Sequence, residues 1–352
     1  MGAKTIRLFL LCVVVVVCAC SRKTDDEYLA SFPESERSLS PSDSLDLESI
    51  GVLSPTQMIK YGRWVVIKES QTKYNLAIVN LDSHQKLDAI PVGRGPGEMT
   101  LGDNLYLEGT EVTLTDAYKL TMVSLDMSKL KEDHIPRLDT IGTFKSVNNA
   151  FSRLRKVKDG YVSPVPTNHT LDDNAWYSLW DEDGYCSDPI SRPQVDGIEK
   201  TERTINHSFY CSSVVTVHPD KDRFCIGLVR MAALSFAMIE KRKLKEVKRV
   251  EYNRPRLYEN GGKTSIYANR AFSGIASDKD HVFLLYSGRE KNGDIPDYEG
   301  NHLIVYDRNG NYVTRYFLLH NVMDIFLDWD ELYCLSTYPS CKLFVYRLPK
   351  IS

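Results

Sequence analysis

The sequence lacks the short motifs that mark most catalytic and cofactor sites. It contains neither the Gly-x-Ser-x-Gly turn of the α/β-hydrolases nor the Gly-x-x-x-x-Gly-Lys-Ser/Thr loop that binds nucleotide phosphates. Its eight histidines are scattered, and none forms the i, i+4 pair of a zinc-binding helix. We therefore expect no resident metal or cofactor, and the sequence favours a binding role over catalysis.

The sequence also has no large excess of either charge, and it has few cysteines. Lys and Arg number 44 against 47 Asp and Glu, a formal net charge of −3. The basic excess typical of nucleic-acid-binding proteins is missing, so no nucleic-acid partner is expected. Eight cysteines in 352 residues are too few for a disulfide scaffold. The chain is instead rich in Tyr (20) and Phe (12), which favour strands over helices.

Only one long apolar run is present, and it lies at the N-terminus. Lys4 and Arg7 precede the run from Leu8 to Ala19, which is too short to span a bilayer as a helix and is typical of a signal peptide. Its end, Val-Cys-Ala-Cys at residues 17–20, resembles the lipobox of bacterial lipoproteins. That resemblance implies cleavage before Cys20 and acylation of its thiol, which would anchor the protein in the membrane. An ordinary cleaved secretory signal is the alternative.

The composition changes after the lipobox. Residues 1–19 are interpreted as the signal peptide, 20–43 as a flexible tether rich in Ser, Asp and Glu, and 44–352 as the folded domain. The acidic residues 25–27 faintly resemble the export signal of surface lipoproteins in Bacteroidetes, although a solvated linker explains the same charges. We expect lipid anchoring at the outer membrane, either on its periplasmic side or at the cell surface.

Short β-rich runs separated by Asp, Gly and Asn turns fill the rest of the chain. The first four predicted strands are Pro55–Lys60, Arg63–Lys68, Asn75–Leu81 and Lys86–Val92. Comparable units recur about every 50 residues, a period that suits propeller blades. Anchor residues in their second strands are Val65, Val112, Tyr161, Phe224, Val282 and Leu332. The prediction is an all-β, six-bladed β-propeller of four-stranded antiparallel blades.

The two ends of the chain fit this interpretation. The last predicted unit has three strands and no fourth, whereas the segment from Ser44 to Ile50 alternates apolar and polar residues ahead of the first unit. Pairing that N-terminal strand with the last blade would close the ring and cover two open sheet edges.

A glycine-rich segment follows the first unit. Its sequence, Val-Gly-Arg-Gly-Pro-Gly-Glu at residues 92–98, resembles a signature of six-bladed propeller lipoproteins from Bacteroidetes, the TolB-like or NHL-like group. The resemblance implies a propeller of the cell envelope and says little about activity. The glycines themselves suit a tight crossing between blades; an anion cradle of backbone N–H groups is the alternative.

Long connections between the predicted strands gather on one face of the propeller, which is the usual place for binding. The residues proposed for a ligand-binding face are Arg94, Arg192, Arg203, Arg254, Arg256, Tyr258, Arg270, Arg289 and Tyr298. Arginine suits carboxylate or phosphate ligands, and both residue types are common at recognition surfaces. The predicted partner, besides the membrane, is a protein or a small anionic or carbohydrate ligand. The alternative is a propeller enzyme, a lyase or hydrolase of sugars or lactones, with its site at the channel mouth.

Two cysteines of the last predicted blade are candidates for a disulfide. Cys334 and Cys341 lie on neighbouring predicted strands of the last blade, on either side of a turn. In an oxidising compartment they could form a cross-strand disulfide if their geometry allowed it. The alternative is that they are small buried core residues.

Overall fold

A computed structural model describes residues 26–33, 36–116, 118–143, 153–165, 174–181, 189–198, 208–252, 254–260, 263–291 and 293–351. The chain divides into two units, residues 1–34 and 35–352. In the first, helix α1 (Glu27–Ala30) begins at Asp26, whose carboxylate accepts the N–H groups of Tyr28 and Leu29. Among these described residues, no helix is long and apolar enough to cross a membrane. The predicted signal peptide and Cys20 lie outside them.

The second unit is a six-bladed propeller of four-stranded antiparallel sheets, as predicted. Two short strands, β1 (Arg37–Leu39) and β2 (Asp43–Asp46), precede the first blade. Blade one consists of β3 (Pro55–Tyr61), β4 (Trp64–Glu69), β5 (Tyr74–Asn80) and β6 (Lys86–Pro91). Blade two consists of β7 (Gly102–Glu108), β8 (Glu111–Asp116), β9 (Thr121–Asp126) and β10 (Asp139–Thr143). Blade three consists of β11 (Arg155–Val157), β12 (Gly160–Pro164), β13 (Ala175–Trp180) and β14 (Ile190–Ser191).

Blades four to six complete the ring. Blade four consists of β15 (Ser213–Val217), β16 (Arg223–Leu228), β17 (Ala232–Glu240) and β18 (Lys243–Tyr252). A hairpin, β19 (Arg256–Asn260) and β20 (Lys263–Tyr267), follows it. Blade five consists of β21 (Arg270–Ser277), β22 (His281–Arg289), β23 (Gly300–Asp307) and β24 (Tyr312–Val322). Blade six contributes β25 (Asp324–Asp328), β26 (Glu331–Ser336) and β27 (Lys342–Arg347), and its first strand contacts β3 of blade one.

The N-terminal segment closes the ring. Strand β2 pairs antiparallel with β27 and supplies the missing fourth strand of blade six, which confirms the predicted closure. Strand β1 was assigned to the tether, yet it pairs in parallel with β24 and adds a fifth strand to blade five. Leu39 accounts for this, because it packs against the apolar residues between blades five and six. The ordered domain therefore begins before residue 44.

Two other elements differ from the sequence prediction. The sequence pattern predicts the second unit over Asn104–Leu138, but the fourth strand of blade two begins at Asp139. The delay comes from a 3-10 helix, Met127–Lys129, that Asp126 caps by accepting the Ser128 N–H at 3.1 Å. The β19–β20 hairpin lies in a connection that was predicted only as a long loop.

Apolar residues fill the spaces between facing blades, and strict alternation along each strand decides which neighbour a residue meets. On β26, Leu332 and Cys334 pack toward blade five, whereas Leu335 packs toward blade one with Cys341. The predicted disulfide is not formed, and both thiols are free. The register pairs Cys334 with Phe344, so the two cysteines face opposite sides of the sheet. Both are buried core residues.

Candidate functional site

A channel runs through the centre of the ring. It has a volume of about 540 Å³ and takes lining residues from the innermost strand region of every blade: Gln57, Asp103, Arg155, Thr216, Ser273 and Asp324. The first strand of each blade lies innermost in the ring. All six of these strands start at the same face, because each follows the connection from the preceding blade. The long connections emerge at that face too. We call this end of the channel the mouth.

Charged side chains concentrate at the mouth. The mouth cluster comprises Lys68, Asp103, Arg153, Arg155, Arg270 and Asp324. Lys68 and Asp103 form an ion pair at 3.2 Å. Arg155 donates to the Leu154 carbonyl oxygen at 3.0 Å and to the side-chain oxygen of Asn104, and its guanidinium lies over the Tyr106 ring. These contacts fix Arg155 in place, so it is part of the channel wall.

Arg153 and Arg270 differ from Arg155. Within the described part of the chain, neither guanidinium has an ion pair or hydrogen bond, and the Nε atom of each is buried without a partner. The Ser273 hydroxyl, which also lines the channel, is buried and unpartnered as well. Burial lowers the pKa of Arg270 to about 10; the Asp297 carboxylate opposes that fall, and the positive charges of Arg230 and Arg153 add to it. Three hydrogen-bonding groups at the mouth are therefore unsatisfied.

Asp324 is the acidic member of the cluster with the most altered environment. It starts the innermost strand of blade six, and its Oδ2 accepts the Met58 N–H at 2.8 Å. Burial raises its pKa from 3.8 to about 7, even though the Met58 and Ile325 N–H groups and the charges of Arg153 and Arg155 oppose the rise. A carboxyl group of this kind can take up or release a proton near neutral pH.

Tyr298 lies at the mouth because the loop that carries it is fastened on both sides. On one side, Asp297 accepts from Arg230 at 2.7 Å. On the other, the fully buried Glu299 accepts the N–H groups of Thr337 and Tyr338 at 2.6 and 2.9 Å. Burial raises the pKa of Glu299, and these donors oppose that rise. The loop is thus tied to blade six, and the Tyr298 side chain is held against the channel.

Few of the residues predicted for the binding face line the channel. Arg270 and Tyr298 do so. Four other predicted residues are exposed on the connections of this face and do not line the channel: Arg94, Arg254, Arg256 and Tyr258. Arg203 lies outside the described residues.

Two predicted arginines have structural partners. Arg192 donates from Nε to the Ala175 carbonyl oxygen at 2.8 Å and lies over the Tyr210 ring, so it holds blade three together. Arg289 donates from Nη2 to the Asn321 side chain at 2.7 Å, while its Nη1 is buried without a partner.

Five members of the mouth cluster were not predicted: Lys68, Asp103, Arg153, Arg155 and Asp324. They come from the inner strands rather than from the loops. One signal was present, because Arg153 and Arg155 stand two residues apart at the start of the third predicted unit. Alternation directs residues i and i+2 of a strand to the same side.

The glycine-rich segment forms a closed turn. The Glu98 carboxylate accepts the Gly95 N–H at 2.7 Å, and Lys119 donates to the carbonyl oxygens of Gly95 and Glu98. A Cβ atom on Gly93 would lie 2.1 Å from the Glu98 carboxylate. The segment supplies its own anion, which favours the structural interpretation over the anion cradle.

One group of possible metal ligands lies at the opposite end of the channel. His218 Nδ1 is 3.6 Å from Asp220 and 3.7 Å from Asp222. Both ring nitrogens are already engaged: Nδ1 accepts the Asp220 N–H at 3.1 Å, and Nε2 is 2.6 Å from the Lys279 carbonyl oxygen. These two hydrogen bonds stabilise the turn between β15 and β16.

No known family model matches the chain, and no curated protein matches its sequence. Solved structures are similar to the chain at low identity. A putative exported protein from Bacteroides fragilis is 9% identical with a TM-score of 0.49, and the match covers 90% of this chain and all of that one. The β-propeller domain of Cps50 (Swd1) from Myceliophteria thermophila is 9% identical with a TM-score of 0.41, covering 88% and 99%. Raptor from Chaetomium thermophilum is 10% identical with a TM-score of 0.46, and the match covers 90% of this chain but 29% of Raptor.

Proposed function

We propose that this protein is an exported, lipid-anchored propeller of the cell envelope that binds a small ligand, without catalysis, through the mouth of its channel. The observation that supports the binding role is the mouth itself. A cavity of about 540 Å³, within the range of ligand pockets, is lined by Tyr298 and by side chains from all six blades. The anchor is supported by the lipobox-like residues that end at Cys20.

Replacing Cys20 with Ser tests the anchor. Without the thiol no acyl chain can be attached, so we expect the variant to move from the membrane fraction to the soluble fraction. Immunoblots of fractionated cells measure the distribution, and replacing Cys225, a buried thiol, with Ser provides the control. Membrane association of the Cys20→Ser chain as strong as that of the wild type would contradict the lipid anchor.

Filling the channel tests the binding role. The full chain, purified in detergent, is incubated with the low-molecular-mass extract of the producing cell's envelope and examined by native mass spectrometry. We expect a retained ligand mass for the wild type and its loss for Ser273→Trp, because the indole would occupy the mouth. Ser83→Trp places the same side chain on an exposed turn at the opposite face and should retain the ligand. Absence of any retained mass, or equal retention by Ser273→Trp, would count against binding in the channel.

A second candidate function is catalysis at the same mouth, and Asp324 is the observation that favours it. A carboxyl group with a pKa of about 7 beside Arg153 and Arg155 could act as a general acid or base on a bound anion. The same incubation separates the two functions. A binding module returns the ligand unchanged, whereas an enzyme consumes one component of the extract and Asp324→Asn stops that consumption.

A further inference from the structure

We propose that the channel mouth is an oxyanion site in which Arg153 and Arg270, with the Ser273 hydroxyl, hold the carboxylate or phosphate group of a small organic acid. The inference rests on the proposed function, because it names the chemical class of the ligand that the channel would take.

The arginines at the mouth repel one another. Arg153 precedes β11 of blade three, and Arg270 starts β21 of blade five, yet both line the same cavity. Burial is the main cause that lowers the pKa of Arg270 and of Arg155, and the positive charge of Arg153 adds to the fall at both neighbours. Like charges that are brought together away from water destabilise a fold unless an opposite charge compensates for them.

The carboxylates near these arginines already have other partners. Asp103 pairs with Lys68, and Asp297 pairs with Arg230 at 2.7 Å. Asp324 accepts backbone N–H groups, and the pKa of about 7 leaves it only partly charged at neutral pH. No carboxylate of the described residues forms an ion pair with Arg153 or Arg270. The mouth therefore carries a net positive charge with unsatisfied donors.

A bound carboxylate or phosphate can supply the negative charge that the mouth lacks. A guanidinium presents a planar fork of N–H donors that matches the two oxygens of a carboxylate or phosphate. Arg153, Arg270 and Ser273 line one cavity, so the outer N–H groups of both guanidiniums can reach an oxyanion there, and the Ser273 hydroxyl can turn toward it. A bare ion would leave most of the 540 Å³ empty, and Tyr298 stands at the opening to contact an organic body. A small organic acid fits both the charge and the volume.

Isothermal titration calorimetry of the full chain in detergent tests this site with three probes: D-glucuronate, inorganic phosphate and D-glucose. We expect the wild type to bind at least one of the two oxyanions and not glucose. Stronger binding of glucuronate would identify a carboxylate as the recognised group, and stronger binding of phosphate would identify a phosphate; either outcome supports the oxyanion site.

Arginine variants locate the binding. Loss of one charge-assisted contact should weaken the oxyanion by about ten- to a hundredfold in Arg270→Gln and in Arg153→Gln. Arg308→Gln is the matched control, because Arg308 is an exposed arginine on the turn between β23 and β24 that does not line the channel, and its loss should not change the affinity. Removing a buried, unpaired charge does not by itself unfold a protein, and the two variants test the site independently.

Either of two results would overturn the inference: no heat of binding from either oxyanion at millimolar concentration, or binding that neither Arg270→Gln nor Arg153→Gln weakens. The proposed function can survive that failure. A neutral envelope molecule retained by the wild type and lost in Ser273→Trp would keep the binding role while excluding an oxyanion site.

Discussion

Replacing Leu47 with Ala is expected to lower the free energy of unfolding by about 3 kcal/mol, because it removes a fully buried side chain from the segment that closes the ring. Leu47 follows β2 and packs between blades six and one with Val52, Val65 and Leu343. Its N–H donates to the Cys341 carbonyl oxygen at 3.0 Å. The loss therefore combines an unfilled cavity with a weaker attachment of β2, and urea denaturation followed by tryptophan fluorescence measures it.

Leu53→Ala is the matched control. Leu53 lies six residues further along the chain and is 64% exposed, so its truncation should change the unfolding free energy by less than about 0.5 kcal/mol. Equal destabilisation by the two substitutions would show that the N-terminal segment does not close the ring in solution. Limited proteolysis gives a second measurement, since Leu47→Ala should release fragments cut before residue 55 earlier than wild type does.

The fold could be predicted because propeller strands carry the period-2 pattern and their turns carry Asp, Gly and Asn. The first four predicted strands match β3 to β6 within two residues. The missing fourth strand of the last unit pointed to β2, because a sheet edge of this size needs a partner. Strand β1 could not be predicted, since its three residues pair in parallel at an outer edge and bury only part of Leu39.

The mouth was predicted only in part, and the reason is physical. Long connections indicate which face of the propeller carries the channel mouth, and Arg270 and Tyr298 could be predicted because they lie on those connections. It says nothing about which inner-strand side chains turn toward the axis. Arg153 and Asp324 come from blades three and six, and only closure of the ring brings their charges together. The Cys334–Cys341 error has a similar origin, because the side of the sheet that each thiol faces depends on a register that the turn length left open.

The pH dependence of stability should change when Asp324 becomes Asn. The pKa of Asp324 is raised from 3.8 to about 7 in the folded protein, so the folded state binds this proton more tightly than the unfolded chain does. Its contribution is fully present below about pH 4 and is lost as the pH rises through about 7. Asn keeps an oxygen that can accept the Met58 N–H and carries no charge. We expect Asp324→Asn to match the wild type near about pH 4 and to exceed it by about 1–3 kcal/mol near about pH 8.5, a range reduced because the channel admits water.

The groups that face Asp324 do not obscure this result. The pKa of Arg155, which burial lowers to about 10, lies above this range, and the pKa of the nearby Cys334 thiol is well above its usual value, so that thiol stays neutral. Urea denaturation at several pH values measures the effect, and Asp330→Asn, an exposed carboxyl in the next turn, should leave the pH profile unchanged. Parallel profiles for the wild type and Asp324→Asn would refute the raised pKa. If the profiles separate, an oxyanion in the mouth should bind more weakly at high pH in the wild type than in Asp324→Asn, because only the wild-type carboxylate would then compete for Arg153.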